Sequence, residues 1–287
     1  MRAALIRELK APPEPGEVEG DGTVSVEAVA LNPLDIAVGS GVFYGGHPPL
    51  PYPPGCEAAG RTEDGRLVYL FGDSRGIVAP GFLVERVEAR DDLMLTLPAD
   101  VDPALAAAVG IAGIAGWVPV AWKAKPTPDD RVLVLGATGV VGRIAVQAAK
   151  LLGAAKVVGV GRGDLHRIAE EFADEGFTVC IDPVWGEPLA NALHHAAPHA
   201  RIVHVGQSAG PDSPLRSADV RAKELTIVGH SNFAMNKEER DRAYLEVLDH
   251  VLVGRLELRL ERYPLDRVAE AWEHQRSGPG AKVVVTI

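Results

Sequence analysis

Cysteine is scarce: Cys56 and Cys180 are the only two in 287 residues. Two thiols cannot build a four-cysteine zinc site, and one disulfide is a thin framework for a chain this long, which excludes a small stapled scaffold and points to a reduced, cytoplasmic setting. Positive charge is in deficit, with 29 Lys and Arg against 39 Asp and Glu and a formal net charge of −10. That balance lacks the electrostatic footprint of a nucleic-acid binder and of a protein held on anionic lipid. An apolar leader is also missing, since MRAALIRELK already carries Arg2, Arg7, Glu8 and Lys10. One long uncharged run, Ala104 to Trp122, is mostly Ala and Gly with Pro119 inside it. Membrane insertion needs Leu, Ile, Phe and Val, so the run is expected to be a buried helix or pair of helices, packed through Gly110, Gly113 and Gly116.

What remains is an ordinary globular composition, 47% hydrophobic and 24% charged. The length predicts about two domains. To about Leu97 the pattern is one of strands and turns. Thr23–Ala30 partly alternates, and short strands are expected around Leu67–Phe71 and Phe82–Val87. His47 to Gly55 reads HPPLPYPPG, a proline density that forbids helix and central strand and predicts an ordered loop. Beyond the polar connector Lys123–Arg131 the pattern changes. Apolar runs at Val132–Leu135, Lys156–Val160, Thr178–Ile181, Arg201–Val205 and Leu225–Val228 alternate with helical periodicity, as parallel βαβ units do. Lys237–Val253 reads as a long amphipathic helix and Lys282–Ile287 as a closing strand. There is no internal repeat.

The motif with chemistry in it is Gly136-Ala137-Thr138-Gly139-Val140-Val141-Gly142. It leaves a strand and opens a helix, and a second strand follows at βαβ spacing. Glycine allows a tight turn and a close backbone approach to a pyrophosphate, while the helix N-terminus offers free N–H groups and a positive dipole end. The GxxGxxG spacing departs from the common GxGxxG fingerprint and lacks the lysine of a P-loop. At the end of the next strand, where an acidic residue would hold the ribose 2′-hydroxyl of NAD, the chain has Val160-Gly161-Arg162-Gly163. A guanidinium there matches a 2′-phosphate, so NADPH is the expected cofactor. His166 and Arg167 add charge nearby, and Asp164 keeps NAD open as the lesser alternative. The histidines of LANALHHAAPHA (His194, His195, His199) read as a solvated helix surface.

A set of further strings resembles the medium-chain dehydrogenase/reductase superfamily, in particular its zinc-free NADPH:quinone oxidoreductase (zeta-crystallin-like) branch. These are Ala30-Leu31-Asn32-Pro33-Leu34-Asp35, Ser40-Gly41-Val42-Phe43-Tyr44, Pro54-Gly55-Cys56-Glu57-Ala58-Ala59-Gly60, the cofactor loop, and the endings Tyr263-Pro264-Leu265 and Gly280-Ala281-Lys282-Val283-Val284. The resemblance implies an α/β protein in which a Rossmann doubly wound parallel sheet (114–249) carries the dinucleotide. A β-rich GroES-like substrate domain (1–113 and 250–287) accompanies it, and the cofactor lies in the cleft between the two. It also implies a homodimer acting on a small molecule, with no metal. The zinc-binding relatives use Cys and His where this chain has Asn32 and Cys56. Cys56 reads more simply as a small buried residue.

The expected reaction is hydride transfer to a quinone or an α,β-unsaturated carbonyl. A pathway-specific tailoring reductase and a non-catalytic NADPH-binding sensor are the alternatives, kept open by Ala115 and Phe43 where the family often has hydroxyl groups. Asn32 is expected to bond nicotinamide or substrate, Asp35 and Tyr44 are the candidate acids beside water, and Val205-Gly206-Gln207-Ser208 flanks the nicotinamide.

Overall fold

The computed structural model describes residues 1–287. The first part of the chain forms β1 (Arg2–Leu5), β2 (Glu14–Glu17), β3 (Val24–Ala30), α1 (Pro33–Gly39), β4 (Glu57–Thr62), β5 (Leu67–Phe71), β6 (Arg86–Val87), β7 (Met94–Thr96) and α2 (Pro103–Val109). The middle forms α3 (Ile111–Val118), β8 (Arg131–Leu135), α4 (Val140–Leu151), β9 (Lys156–Val160), α5 (Arg167–Glu171), β10 (Phe177–Asp182), α6 (Gly186–Ala192), β11 (Ala196–His204), α7 (Ser217–Ala222), β12 (Thr226–Gly229) and α8 (Lys237–Leu252). β13 (Leu260–Pro264), α9 (Val268–Ser277) and β14 (Lys282–Thr286) close it.

The chain divides into two units, Met1–Ile111 with Leu258–Ile287, and Ala112–Glu257. The return crossing therefore falls after α8, whereas a boundary at residue 250 would cut through that helix. The segment beyond α8 is held to the second unit by Gln147 of α4, which engages both backbone groups of Glu257. Gln147 Oε1 accepts from the Glu257 N–H at 2.7 Å and its Nε2 donates to the Glu257 carbonyl at 3.1 Å.

In the first unit a seven-stranded sheet runs β13-β14-β3-β4-β5-β7, with β6 also paired to β3. β13 and β14 are parallel and the other pairs antiparallel. Its core gathers Ile6, Val29, Leu31, Tyr52, Leu83, Trp272 and Val285. The proline-rich loop belongs to this core: Ile6 and Tyr52 exchange backbone hydrogen bonds at 2.9 and 3.1 Å. α1 lies close against α9 because Gly39 has no side chain. A Cβ there would come within 2.7 Å of both Ile6 and Trp272.

The uncharged run becomes α2 and α3, bent by 44° at their junction, and no single helix is long and apolar enough to cross a membrane. Pro119 cannot donate to the preceding turn, and Pro119–Ala124 continues α3 as a π-helical turn that stops at Lys125 with φ 48°. Glu246 of α8 secures this stretch, its Oε2 accepting both the Trp117 and Trp122 indole N–H groups at 2.8 Å.

The second unit holds a five-stranded, all-parallel sheet in the order β12-β11-β10-β8-β9. Val132 to Leu135 in β8 are all buried, as expected for a strand covered on both faces. Against the doubly wound order 3-2-1-4-5-6, the position of strand 3 has no occupant: after β9 the chain makes only α5 before entering β10. The histidine-bearing segment differs from its expected helix surface. α6 ends at Ala192, a 3₁₀ turn covers Leu193–His195, and β11 starts at Ala196. His194 and His199 pair at the surface with Asp219 and Glu224, at 3.3 and 3.2 Å.

His230 follows β12 and is buried, its Nε2 2.9 Å from Asn232 Oδ1. Burial lowers its pKa to about 4, and Lys123 adds to the effect. The unfolded chain therefore binds the extra proton between about pH 6.5 and 4, so stability is complete above 6.5, falls as the pH drops from 6.5 to 4 and levels off below. Denaturant unfolding at pH 7 and pH 4 should show the native chain losing about 2–3 kcal/mol more than a His230→Gln variant over that interval. Parallel losses in both proteins would remove His230 as the cause.

Candidate functional site

Two groups of side chains stand out, one in each unit. In the first unit Glu57 is the hub. Its Oε1 accepts from Asn32 Nδ2 and Lys282 Nζ, each at 2.9 Å. Its Oε2 accepts from the Tyr69 hydroxyl at 2.9 Å and the Ile111 N–H at 2.6 Å. Lys282 also donates to Asn32 Oδ1. Glu57 and Lys282 have side-chain exposures of 0% and 2%. Gly110 completes the packing, since a Cβ there would lie 2.1 Å from the Tyr69 hydroxyl and 2.2 Å from Glu57 Oε2.

Asp35 sits one turn into α1, where its Oδ2 accepts the Asn32 N–H at 2.7 Å and its Oδ1 the Cys56 N–H at 2.9 Å. Burial raises the Asp35 carboxyl above the usual range, against the hydrogen bonds from Cys56 and Asn32. Burial also pushes the Cys56 thiol well up, and Asp35 reinforces it. Tyr44 lies elsewhere, 90% exposed, its ring 4.4 Å from that of Phe43. The fold thus bonds Asn32 to Asp35, and Tyr44 is hydrogen-bonded to neither. Of these three, Tyr44 alone keeps its polar atom uncommitted. Lys282 escaped the sequence reading, though a lysine inside the apolar run Ala281–Val285 is itself a signal for a buried partner.

These donors do not suit a zinc ion. Every Glu57 oxygen is taken, Asn32 uses both ends of its amide, and burial pushes the Cys56 thiol up, away from the thiolate that metal binding needs. No group of three or more His, Cys, Asp or Glu side chains comes together as a metal site.

The second group lies at the carboxyl ends of β8 to β11, where open α/β sheets bind ligands. Gly136 adopts φ +61°, which turns the chain out of β8. Ala137 N–H then bonds the Val160 carbonyl of β9 at 3.0 Å, and Gly139 N–H bonds Gly136 O at 3.0 Å. Gly142 must lack a side chain, because a Cβ would lie 2.3 Å from Gly136 O. At Gly139 the same atom would meet only Gly136 O at 3.5 Å, so this face of the turn is open. α4 begins there without an acidic residue in its first turn, and its leading N–H groups at Val140, Val141 and Gly142 have no acceptor within the helix. Thr138 is exposed, and its methyl would lie 2.8 Å from a Cβ at Gly161.

Arg162 follows Gly161, exposed and in no ion pair. The sequence reading missed Arg143, whose Nε donates to the Thr138 carbonyl at 3.0 Å and which pairs with no carboxylate. A cation beside the positive end of a helix is unfavourable unless an anion joins it. Val205-Gly206-Gln207-Ser208 leaves β11 against the end of β10: Val205 N–H bonds Asp182 O at 2.8 Å, and a Cβ on Gly206 would be 3.1 Å from Pro183 O. Open glycine, unpaired N–H groups and two unpaired guanidinium groups together suit a ligand with several phosphate charges.

Lys282→Met would leave the Glu57 carboxylate buried with its hydrogen-bond set broken. Urea unfolding should show a loss of about 3–5 kcal/mol, with part regained in the Lys282→Met, Glu57→Gln double variant. A single variant as stable as the native chain would mean the pair holds nothing together.

A family model described as zinc-binding dehydrogenase matches residues 152–285. The quinone oxidoreductase of Lama guanicoe is 30% identical, over 92% of this chain and 88% of its own length. The quinone oxidoreductase of Thermus thermophilus, solved also in complex with NADPH, superposes with a TM-score of 0.79 at 22% identity, covering all of both chains. The yhdH oxidoreductase of Salmonella enterica, solved in complex with NADP, superposes with a TM-score of 0.80 at 21% identity, again over all of both chains.

Proposed function

The chain belongs to the quinone oxidoreductase branch of the medium-chain dehydrogenase/reductase superfamily, and from that premise we propose an NADPH-dependent, zinc-independent oxidoreductase that reduces a quinone or an α,β-unsaturated carbonyl. The observation that carries the cofactor is the open turn Gly136–Gly142 with Arg162 at the end of β9, where an NAD-type site would hold an acid. When bound, the dinucleotide supplies the hydride, and the protein's part is to hold, orient and shield it. Gly136, Ala137, Thr138 and Gly139 shape the turn. The N–H groups of Val140, Val141 and Gly142 receive the pyrophosphate. Arg162 pairs with the 2′-phosphate. Val205, Gly206, Gln207 and Ser208 flank the nicotinamide half.

Hydride addition leaves an oxyanion on the reduced acceptor, and one proton completes the product. Asp35 has both oxygens engaged by backbone N–H groups, so its role is to position Asn32 and Cys56. Asn32, held between Lys282 and Glu57, keeps the strand end in place. Solvent or the exposed Tyr44 hydroxyl delivers the proton.

NADPH oxidation by a soluble quinone, with NADH in parallel and a chelator present, tests this reading. Turnover should favour NADPH and survive the chelator. Arg162→Ala should cut kcat/KM for NADPH by about 10–100-fold, the worth of one charged hydrogen-bonded contact, and leave NADH unchanged. Equal use of both cofactors by the native chain would end the Arg162 assignment.

The family also supports a homodimer. The outer edge of β12 pairs with no strand, and Val228 on it is exposed, as is Phe233 just beyond. Strand-to-strand pairing of two β12 edges would satisfy the free backbone groups of both copies. Sedimentation equilibrium should give about twice the 30.4 kDa chain mass and a monomer for Val228→Pro. A monomeric native chain would refute it.

A further inference from the structure

The doubly wound fold is two mononucleotide-binding halves, strands 1-2-3 and strands 4-5-6, with a dinucleotide lying across both. Here the second half is complete, with β10, β11 and β12 joined by α6 and α7. The first half stops early. β8 and β9 are joined by α4, but the chain then makes only α5 and enters β10, on the far side of β8. β9 is consequently a sheet edge, and the loop that would rise from the end of a third strand does not exist.

The consequence falls on the half that takes the adenosine. On the β10 side it has an apolar wall: a Cβ at Gly136 would lie 2.9 Å from Val184 Cγ2 and 3.4 Å from Pro183 Cγ. On the β9 side it has none. Arg162, Gly163 and His166 are all exposed, and a Cβ on Gly163 would meet no atom within 4 Å. The groups offered there are mostly cations and donors, the guanidinium groups of Arg143 and Arg162, the His166 imidazole and the N–H groups opening α4, which suit phosphate oxygens, with the Asp164 carboxylate 3.7 Å from a Cβ at Gly161. A purine is recognised otherwise, by enclosure of its faces and by hydrogen bonds to its edge, and enclosure needs two walls.

We infer that this half-site reads the cofactor's phosphates and leaves the purine unread, so that the enzyme accepts NADPH whose adenine has been replaced by another base. The inference rests on the dinucleotide reading above and narrows it. The truncated half loses base contacts and keeps charge contacts.

The test uses the native protein and reads binding as well as turnover. Dissociation constants would be measured by nicotinamide fluorescence for NADPH, for its hypoxanthine analogue and for its 1,N6-ethenoadenine analogue, and kcat/KM would follow with one quinone. Both analogues should match NADPH within about threefold in each quantity, well under the 1.4 kcal/mol of a tenfold change. A loss of about tenfold or more for either analogue would show that the base is read after all, and would overturn the inference while leaving NADPH dependence standing. Absence of NADPH binding itself would take away the proposed function and this inference with it.

Discussion

The first unit depends on one buried carboxylate. Glu57 collects a lysine from β14, an asparagine from the end of β3, a tyrosine from β5 and the first N–H of α3. These partners come from residues 32, 69, 111 and 282, so the contact closes the unit across nearly the whole length of the chain. A charge taken fully out of water is costly unless every lone pair finds a donor. Here each does, and the same requirement that makes the network costly to break also leaves only one arrangement that satisfies it. The C-terminal strand therefore returns to β3 in a set register, Val284 opposite Ala30.

That network also occupies the side chains with which the first unit could hold a zinc ion. An ammonium group already neutralises Glu57, and both oxygens of the neighbouring Asp35 accept the backbone N–H groups of Asn32 and Cys56. The side chains that a metal would need are spent on the fold. The chemical burden passes to the cofactor, and the protein's contribution becomes one of holding and shielding.

In the second unit the governing constraint is close backbone approach. The turn out of β8 can fold over the end of β9 only because Gly136 takes a positive φ and Gly142 has no Cβ. The outcome is a helix whose leading N–H groups point at open space, beside two arginines without carboxylate partners. The truncated strand order places this charge at the sheet's edge, where it is accessible and where little else lines the site.

By itself the sequence determined the five parallel strands of the second unit, the long α8 and the glycine loop. Buried apolar runs and glycine spacing are local properties, set by periodicity and by the conformations a short peptide can adopt, and the five parallel strands and the glycine turn were legible from them. The strings shared with the family likewise placed the chain in its branch. Other features were out of reach, because each depends on residues far apart in the chain. The lysine inside Ala281–Val285 signals a buried partner but not that the partner is Glu57, and the clasp of two tryptophans by Glu246 has no local signature. Asp35 read as a candidate acid until its two oxygens were seen to hold the amides of Asn32 and Cys56. The end of the second unit at Glu257 depends on Gln147, over a hundred residues earlier. The empty third-strand position appears only once strand order is known. Local chemistry is written in neighbouring residues, whereas burial, pairing and strand order arise only when distant segments exclude water together, and the tertiary structure decided those.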